Sequence, residues 1–275
     1  MPTAINEDVT VIDTTLVASM QAQFPLGSIL EVQIGNNVTS IGDDAFVLAD
    51  TLTRVTMKNA ADNSLTAIGD NAFDGMVVLE DLSFLADAGS LATIGSSAFG
   101  TCGAAGTLEI LPAVQTIGQS AFVRCGSLQS IDLSGADALA NIGASAFYSC
   151  LSATGALKIP AAVQTIGQIA FHSCSSLQSI DLSGAAALAT ISDGAFGNCV
   201  AASGTLEIPA AVATIAGEAF GNCTALISIV FASSAVTVSL GTDAFSGITL
   251  TNALLGTLAT RTVVDRSAGA VTFQA

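Results

Sequence analysis

The stretch VQTIGQSAFVRC, Val114 to Cys125, returns forty-nine residues later as VQTIGQIAFHSC, Val163 to Cys174. A catalytic site is assembled once, from different parts of a chain, whereas a phrase repeated at fixed period describes a building unit. Anchored on Ala-Phe, the unit recurs nine times, with its Phe at 46, 73, 99, 122, 147, 171, 196, 220 and 245. Five residues before each Phe stands Ile, or Leu240 in the last copy, and three residues after six of them stands Cys. Earlier in the unit comes a short apolar alternation, such as LEI at Leu108 or IDL at Ile131 and Ile180.

Alternation over a few residues predicts an extended strand with one buried face, and Pro112, Pro160 and Pro209 end such strands by denying the ladder an N–H. The VQTIG stretch is a second extended piece. It closes on Gly and a short polar residue, Asp43, Asp70, Ser96 or Asp193, suited to cap one helical turn that carries Ala and Phe inward. The unit is therefore strand, bend, strand, turn. Stacked at about 4.8 Å, nine units make a parallel ladder roughly 40 Å long. The expected fold is a repeat solenoid, a leucine-rich-repeat-type β solenoid with a parallel sheet, short strands and single helical turns.

The pattern L..I.(I/L)P..V..IG..AF..C, running from Leu30 to Gly247, resembles the BspA-like, or Treponema-type, leucine-rich repeats. The resemblance implies a curved solenoid with a parallel sheet on one face, and surface proteins used in adhesion and binding. No export signal or cell-wall anchor is visible in the chain: Glu7, Asp8 and Asp13 stand where a secretory leader carries basic residues. An extracellular or particle-surface location is the expectation that follows from the resemblance. Units also alternate between a short form, GALKIPAAVQTIG, and a longer one, LQSIDLSGADALANIG, so the chemical period is a pair and the longer bends would form a ridge along one edge.

Three parts are expected. Residues 1–29 form an N-terminal cap, with Leu16, Val17, Met20 and Phe24 at helical spacing over the first unit. Residues 30–248 form the solenoid. Residues 249–275 leave the pattern and read as a C-terminal cap or as contact strands, carrying Arg261 and Arg266.

Composition excludes several partners. The 275 residues are 51% hydrophobic but only 10% charged, with 22 acidic against 6 basic side chains and a net charge of −16. Phosphate recognition needs clustered Lys and Arg, and no two basic residues here are adjacent, so nucleic acid and anionic membrane surfaces are excluded. Ala219 to Thr242 lacks formal charge and is long enough to span a bilayer, yet it contains Asn222, Thr224 and Ser228 and follows the repeat, so no membrane insertion is expected.

Nor does the chain carry recognisable catalytic machinery. Cys102, Cys125, Cys150, Cys174, Cys199 and Cys223 share one column filled elsewhere by Ala49, Met76 and Ile248, the pattern of a packing residue rather than a disulfide or metal site. His172, the single histidine, occupies a turn column that elsewhere holds Val47, Asp74, Val123, Tyr148 or Gly197. A Ser-His-Asp or Cys-His centre would have only this imidazole to use, and neither a phosphate-binding glycine loop nor a nucleophile elbow is present. No catalytic residue, metal or cofactor is assigned.

The outward column of the first strand offers the better site: Gln33, Thr56, Ser83, Glu109, Asp132, Lys158, Asp181, Glu207, Val230. Four carboxylates flank one lysine, and like charges on adjacent strands repel unless Lys158 or a bound cation offsets them. Beside them Thr107, Ser130, Ser179, Thr205 and Ser228 are small enough to leave room for a ligand. Glu109, Asp132, Lys158, Asp181 and Glu207 are thus the candidate ligand-binding residues. The bland alternative is a solvated acidic face; the others are a site for a basic partner or for a divalent cation. A second outward row, Ser40, Thr93, Thr116, Asn141, Thr165, Thr190, Thr214 and Ser239, admits ice or crystal-surface binding as a minor reading, although Thr is also an ordinary strand residue.

Three functions follow in order. The first is a non-enzymatic recognition or adhesion module that presents its sheet face to a protein or glycan. The second is a structural subunit of a virus particle or surface layer, self-associating or contacting assembly partners. The third is the minor surface-binding reading.

Overall fold

The computed structural model describes residues 3–4, 9–23, 30–232 and 238–248. Within them each repeat is one rung of a parallel β-solenoid, as the pattern predicts. One sheet runs the length of the described solenoid. It is built from ten two-residue strands: Val11–Ile12, Ser40–Ile41, Ala67–Ile68, Thr93–Ile94, Thr116–Ile117, Asn141–Ile142, Thr165–Ile166, Thr190–Ile191, Thr214–Ile215 and Ser239–Leu240. All pairings are parallel, and aliphatic stands on aliphatic at every step, as in Ile117 on Ile94 and Ile142 on Ile117. Because strand side chains alternate faces, each Ile enters the core while the preceding Val, Ser, Thr, Ala or Asn faces out.

The glycine after this strand sets how closely the rungs approach. A Cβ at Gly143 would stand 2.5 Å from the carbonyl carbon of Gly118, so a side chain there would force the two backbones apart. Beyond the glycine the sequence predicts a helical turn, and the structure shows a non-helical one. Its first residue does not cap a helix: Asp43 Oδ1 accepts from the N–H of Asp70, one rung on, at 2.8 Å, and Asp70 and Asp193 do the same for Ser96 and Gly217. The backbone adopts positive φ at one residue after another down the stack, from Asp44 (54°) to Asp243 (57°), and the amides from Asp44 to Glu218 donate to the following rung. Inter-rung hydrogen bonding replaces the intrahelical kind because every neighbouring rung offers an acceptor at the same height.

This turn carries the core. The nine Phe rings of the repeat form one continuous stack, with centroids 4.7–5.4 Å apart and planes within 15°. The spacing follows the rung repeat, so successive rings stack nearly parallel. The six thiols lie beside the stack, free and buried. From Cys125 onward each Sγ donates to the Phe carbonyl of the preceding rung, at 3.0–3.3 Å.

The first strand of the unit departs from expectation. Instead of one long ladder it forms local sheets. Gly106–Glu109 pairs with Leu128–Asp132, Ala156–Lys158 with Ser179–Asp181, and Gly204–Ile208 with Leu226–Phe231; near the N-terminus Thr3–Ala4, Glu31–Ile34 and Arg54–Met57 join. The cause is the short/long alternation. Each short-form strand begins at or beside a glycine of positive φ, Gly106 (86°), Gly155 (81°) and Gly204 (87°), and the register shifts beside Gly106 and Gly204. Only a bridge at Ser130 and Thr154 joins the first of these pairs to the second. Ser83 does not lie in a strand at all but opens the 3₁₀ turn Ser83–Leu85, which packs Phe84 at a tilt against Phe73 and Phe99.

At the N-terminal end, Asp13 Oδ1 accepts from the Leu16 N–H at 2.8 Å and starts the helix Thr14–Gln23, whose Val17 is buried in the core. The expected contact of Phe24, and the whole of residues 249–275, lie outside the described residues. Among the described residues no helix is long and apolar enough to cross a membrane.

Candidate functional site

The paired strands bring the outward column into register two residues at a time: Glu109 stands opposite Asp132, Lys158 opposite Asp181 and Glu207 opposite Val230. Their side chains are not equivalent. Glu109, Lys158 and Glu207 are exposed, whereas Asp132 and Asp181 are half-buried and turn back onto their own chain. Asp132 Oδ1 accepts from the Ser134 N–H at 2.9 Å, and Asp181 Oδ1 from the Ser183 N–H and Oγ at 3.0 and 2.6 Å. Asp81 closes the same two-residue turn onto Ser83. Hydrogen bonds from Ser134 hold the Asp132 carboxyl below its ordinary pKa, because they stabilise the charged form. Each of these aspartates shapes the bend after its strand, leaving Glu109, Lys158 and Glu207 as the residues that reach outward.

The hydroxyl row beside them pairs Thr107 with Ser130 and Thr205 with Ser228, whose Oγ donates to Thr205 Oγ1 at 2.6 Å, while Ser179 stands opposite Ala156. The second Ser/Thr row forms the outer face of the ten-stranded sheet, where Thr165 Oγ1 donates to Asn141 Oδ1 at 2.7 Å. Among the described residues no group of three or more His, Cys, Asp or Glu side chains is placed to hold a metal ion. Burial raises the Cys102 thiol to about 11 and pushes Cys125 up further, so these are neutral packing groups rather than nucleophiles.

One feature escapes the column reading. The single His172 is half-buried on the turn edge, its ring stacked on Tyr148 at 5.6 Å and 16°. Asn222 Nδ2 donates to Asn198 Oδ1 at 3.0 Å, which leaves the Asn198 amide to donate to His172 Nε2 at 3.2 Å. His172 Nδ1–H then donates to Ser173 Oγ at 2.9 Å, a tautomer assigned by the network. Burial lowers the imidazole pKa, opposed by the Glu218 carboxylate. Beside the ring lies a recess of about 290 Å³ lined by Gln168, Ile169, His172, Asp193, Glu218 and Thr242 over Gly194 and Gly217; a smaller one of about 100 Å³ adjoins it over Gly197 and Gly221. The signal in the sequence was a fall in side-chain size: the turn column goes from Tyr148 and His172 to Gly197 and Gly221.

A family model for the BspA type leucine rich repeat region matches residues 21–154 and 140–262, in six copies. The chain belongs to the BspA-type leucine-rich repeat family. This BspA-type chain is similar to a solved leucine-rich repeat protein from Bacteroides ovatus, with 20% identity and a TM-score of 0.48 over 89% of this chain and 72% of that one. It is similar to a leucine rich cell surface protein from Faecalibacterium prausnitzii, with 22% identity and a TM-score of 0.42 over 84% and 88%. A third likeness is to the leucine-rich repeat protein of T. pallidum, with 22% identity and a TM-score of 0.44 over 78% and 75%. No curated protein matches the chain. The BspA-type repeat thus accounts for the Ile, Phe and Cys columns as architecture.

Proposed function

We propose that this protein is a non-enzymatic recognition module, displayed at a cell or particle surface, that presents its paired-strand face to a protein or glycan. Residues 30–248 are the recognition body, with 1–29 and 249–275 as its ends. The observation that carries the reading is the exposure of Glu109, Lys158 and Glu207 in one outward column, between aspartates whose charge is spent on local turns. Two exposed carboxylates against one lysine, on a chain of net charge −16, favour a partner with a basic contact surface. Opposite potentials steer such a partner to the face and set its orientation.

The test is retention on an array of immobilised peptides graded from acidic to basic, with glycans alongside. Retention on the basic peptides that disappears in E109K/E207K, with Asp132 and Asp181 left intact to keep the turns, supports the proposal. Full retention by that variant removes it.

A further inference from the structure

We propose that the recess beside His172 binds a single pyranose ring, supplied as a free monosaccharide or as the terminal sugar of a glycan. At about 290 Å³ it is near the lower end for small-molecule sites, and it crosses four rungs, from Ile169 and His172 at one end to Glu218 and Thr242 at the other. Its lining is mixed. Ile169 and the imidazole offer an apolar wall, while Gln168, Asp193, Glu218 and Thr242 offer acceptors and donors around it. No Lys or Arg lines it, which disfavours anions. A pyranose has the matching character, an apolar C–H face and a rim of hydroxyl donors for carboxylate and amide oxygens.

Two further observations indicate that the recess is built rather than left over. Ile169 sits at φ 48°, a conformation that β-branched side chains avoid. The same column holds Asp44, Asn71, Ser97, Ser120, Ser145, Gly194, Glu218 and Asp243, residues that fold the turn at less conformational cost. An apolar residue kept at a strained position points to a role outside folding. The next rung is also stripped of side chains at the matching places. A Cβ at Gly194 would stand 2.9 Å from Ile169 Cγ2, and one at Gly197 would stand 2.7 Å from His172 Cδ2. Glycine there lets the wall lean in and leaves the floor bare. The chain from Asn222 through Asn198 holds the imidazole at Nε2, so the wall is preorganised.

Saturation-transfer NMR on the full chain tests this, with glucose, galactose, N-acetylglucosamine and fucose as probes, arginine as the cationic control, and an array of glycans bearing the same terminal sugars. Transfer to at least one sugar is expected, at least roughly fivefold weaker in I169N and in E218Q, as for loss of a single contact. I169N installs the residue found at Asn71, so its melting temperature should hold or rise, and loss of signal there cannot be laid to misfolding. Binding of free sugar identifies a monosaccharide site; binding only on the array identifies a terminal glycan residue. Absence of any sugar signal from both solution and array, an I169N signal equal to the parent's, or binding of arginine and no sugar would each overturn the proposal.

Discussion

The carbonyl of Phe147 accepts two hydrogen bonds, from the Cys150 N–H of its own rung at 3.3 Å and from the Cys174 thiol of the next at 3.1 Å. The thiol therefore joins two rungs as well as filling space. Replacing Cys174 by Ala removes that bond and leaves a small void, and should cost about 1–2 kcal/mol. Chemical denaturation of C174A against the parent measures it.

Burial also governs reactivity. With Cys102 raised to about 11 and the thiols beyond it enclosed by neighbouring rungs, alkylation by iodoacetamide near pH 8 should be slow in the folded chain and fast in denaturant. Mass spectrometry over a time course reads both rates. Rapid labelling of all six thiols without denaturant would contradict the packing.

The phenylalanine stack is continuous through nine rungs, and truncation inside it should be severe. Phe147 is fully buried between Phe122 and Phe171, so F147A should lose about 3–5 kcal/mol. Because each rung contacts only its neighbours, the loss should also broaden unfolding into two phases, one for each side of the defect. Circular dichroism through a urea titration shows whether it does.

Stability should fall with acid in two steps. His172 has a folded pKa below its free value of 6.5, so its contribution is complete above 6.5 and declines as pH drops from there toward the folded value. Asp132 and Asp81 are likewise depressed, but as carboxylates: their contribution is present above 3.8 and is lost as pH falls through their lower folded values. Melting temperature against pH should show both slopes, and H172V should remove the first alone.

The columns of Ile, Phe and Cys were legible because a repeat exposes every position nine times, so a buried column reads as apolar in each copy. Which extended piece would make the long sheet was not legible. Alternation tells which face of LEI or TIG is buried, but the pairing depends on equal length from rung to rung. TIG keeps that length, whereas the other strand shifts register beside Gly106 and Gly204. The aspartates misled in the same way: Asp43 and Asp70 suit a helix cap by type, yet the neighbouring rung, absent from any local reading, supplies the amides they bind. Likewise Asp132 and Asp181 sit in the outward column as expected, while their commitment to Ser134 and Ser183 appears only in three dimensions. The recess at His172 needs four rungs to form, and no single unit announces it.

The sharpest test of the recognition face is the lysine that interrupts it. K158E makes the exposed column wholly acidic without touching the core or the turns. Biolayer interferometry on the same immobilised basic peptides should show K158E bound more tightly than the parent, by roughly threefold to tenfold at low salt, with the gain shrinking as salt is added. Unchanged or weaker binding by K158E, in a chain of unaltered melting temperature, would contradict the account.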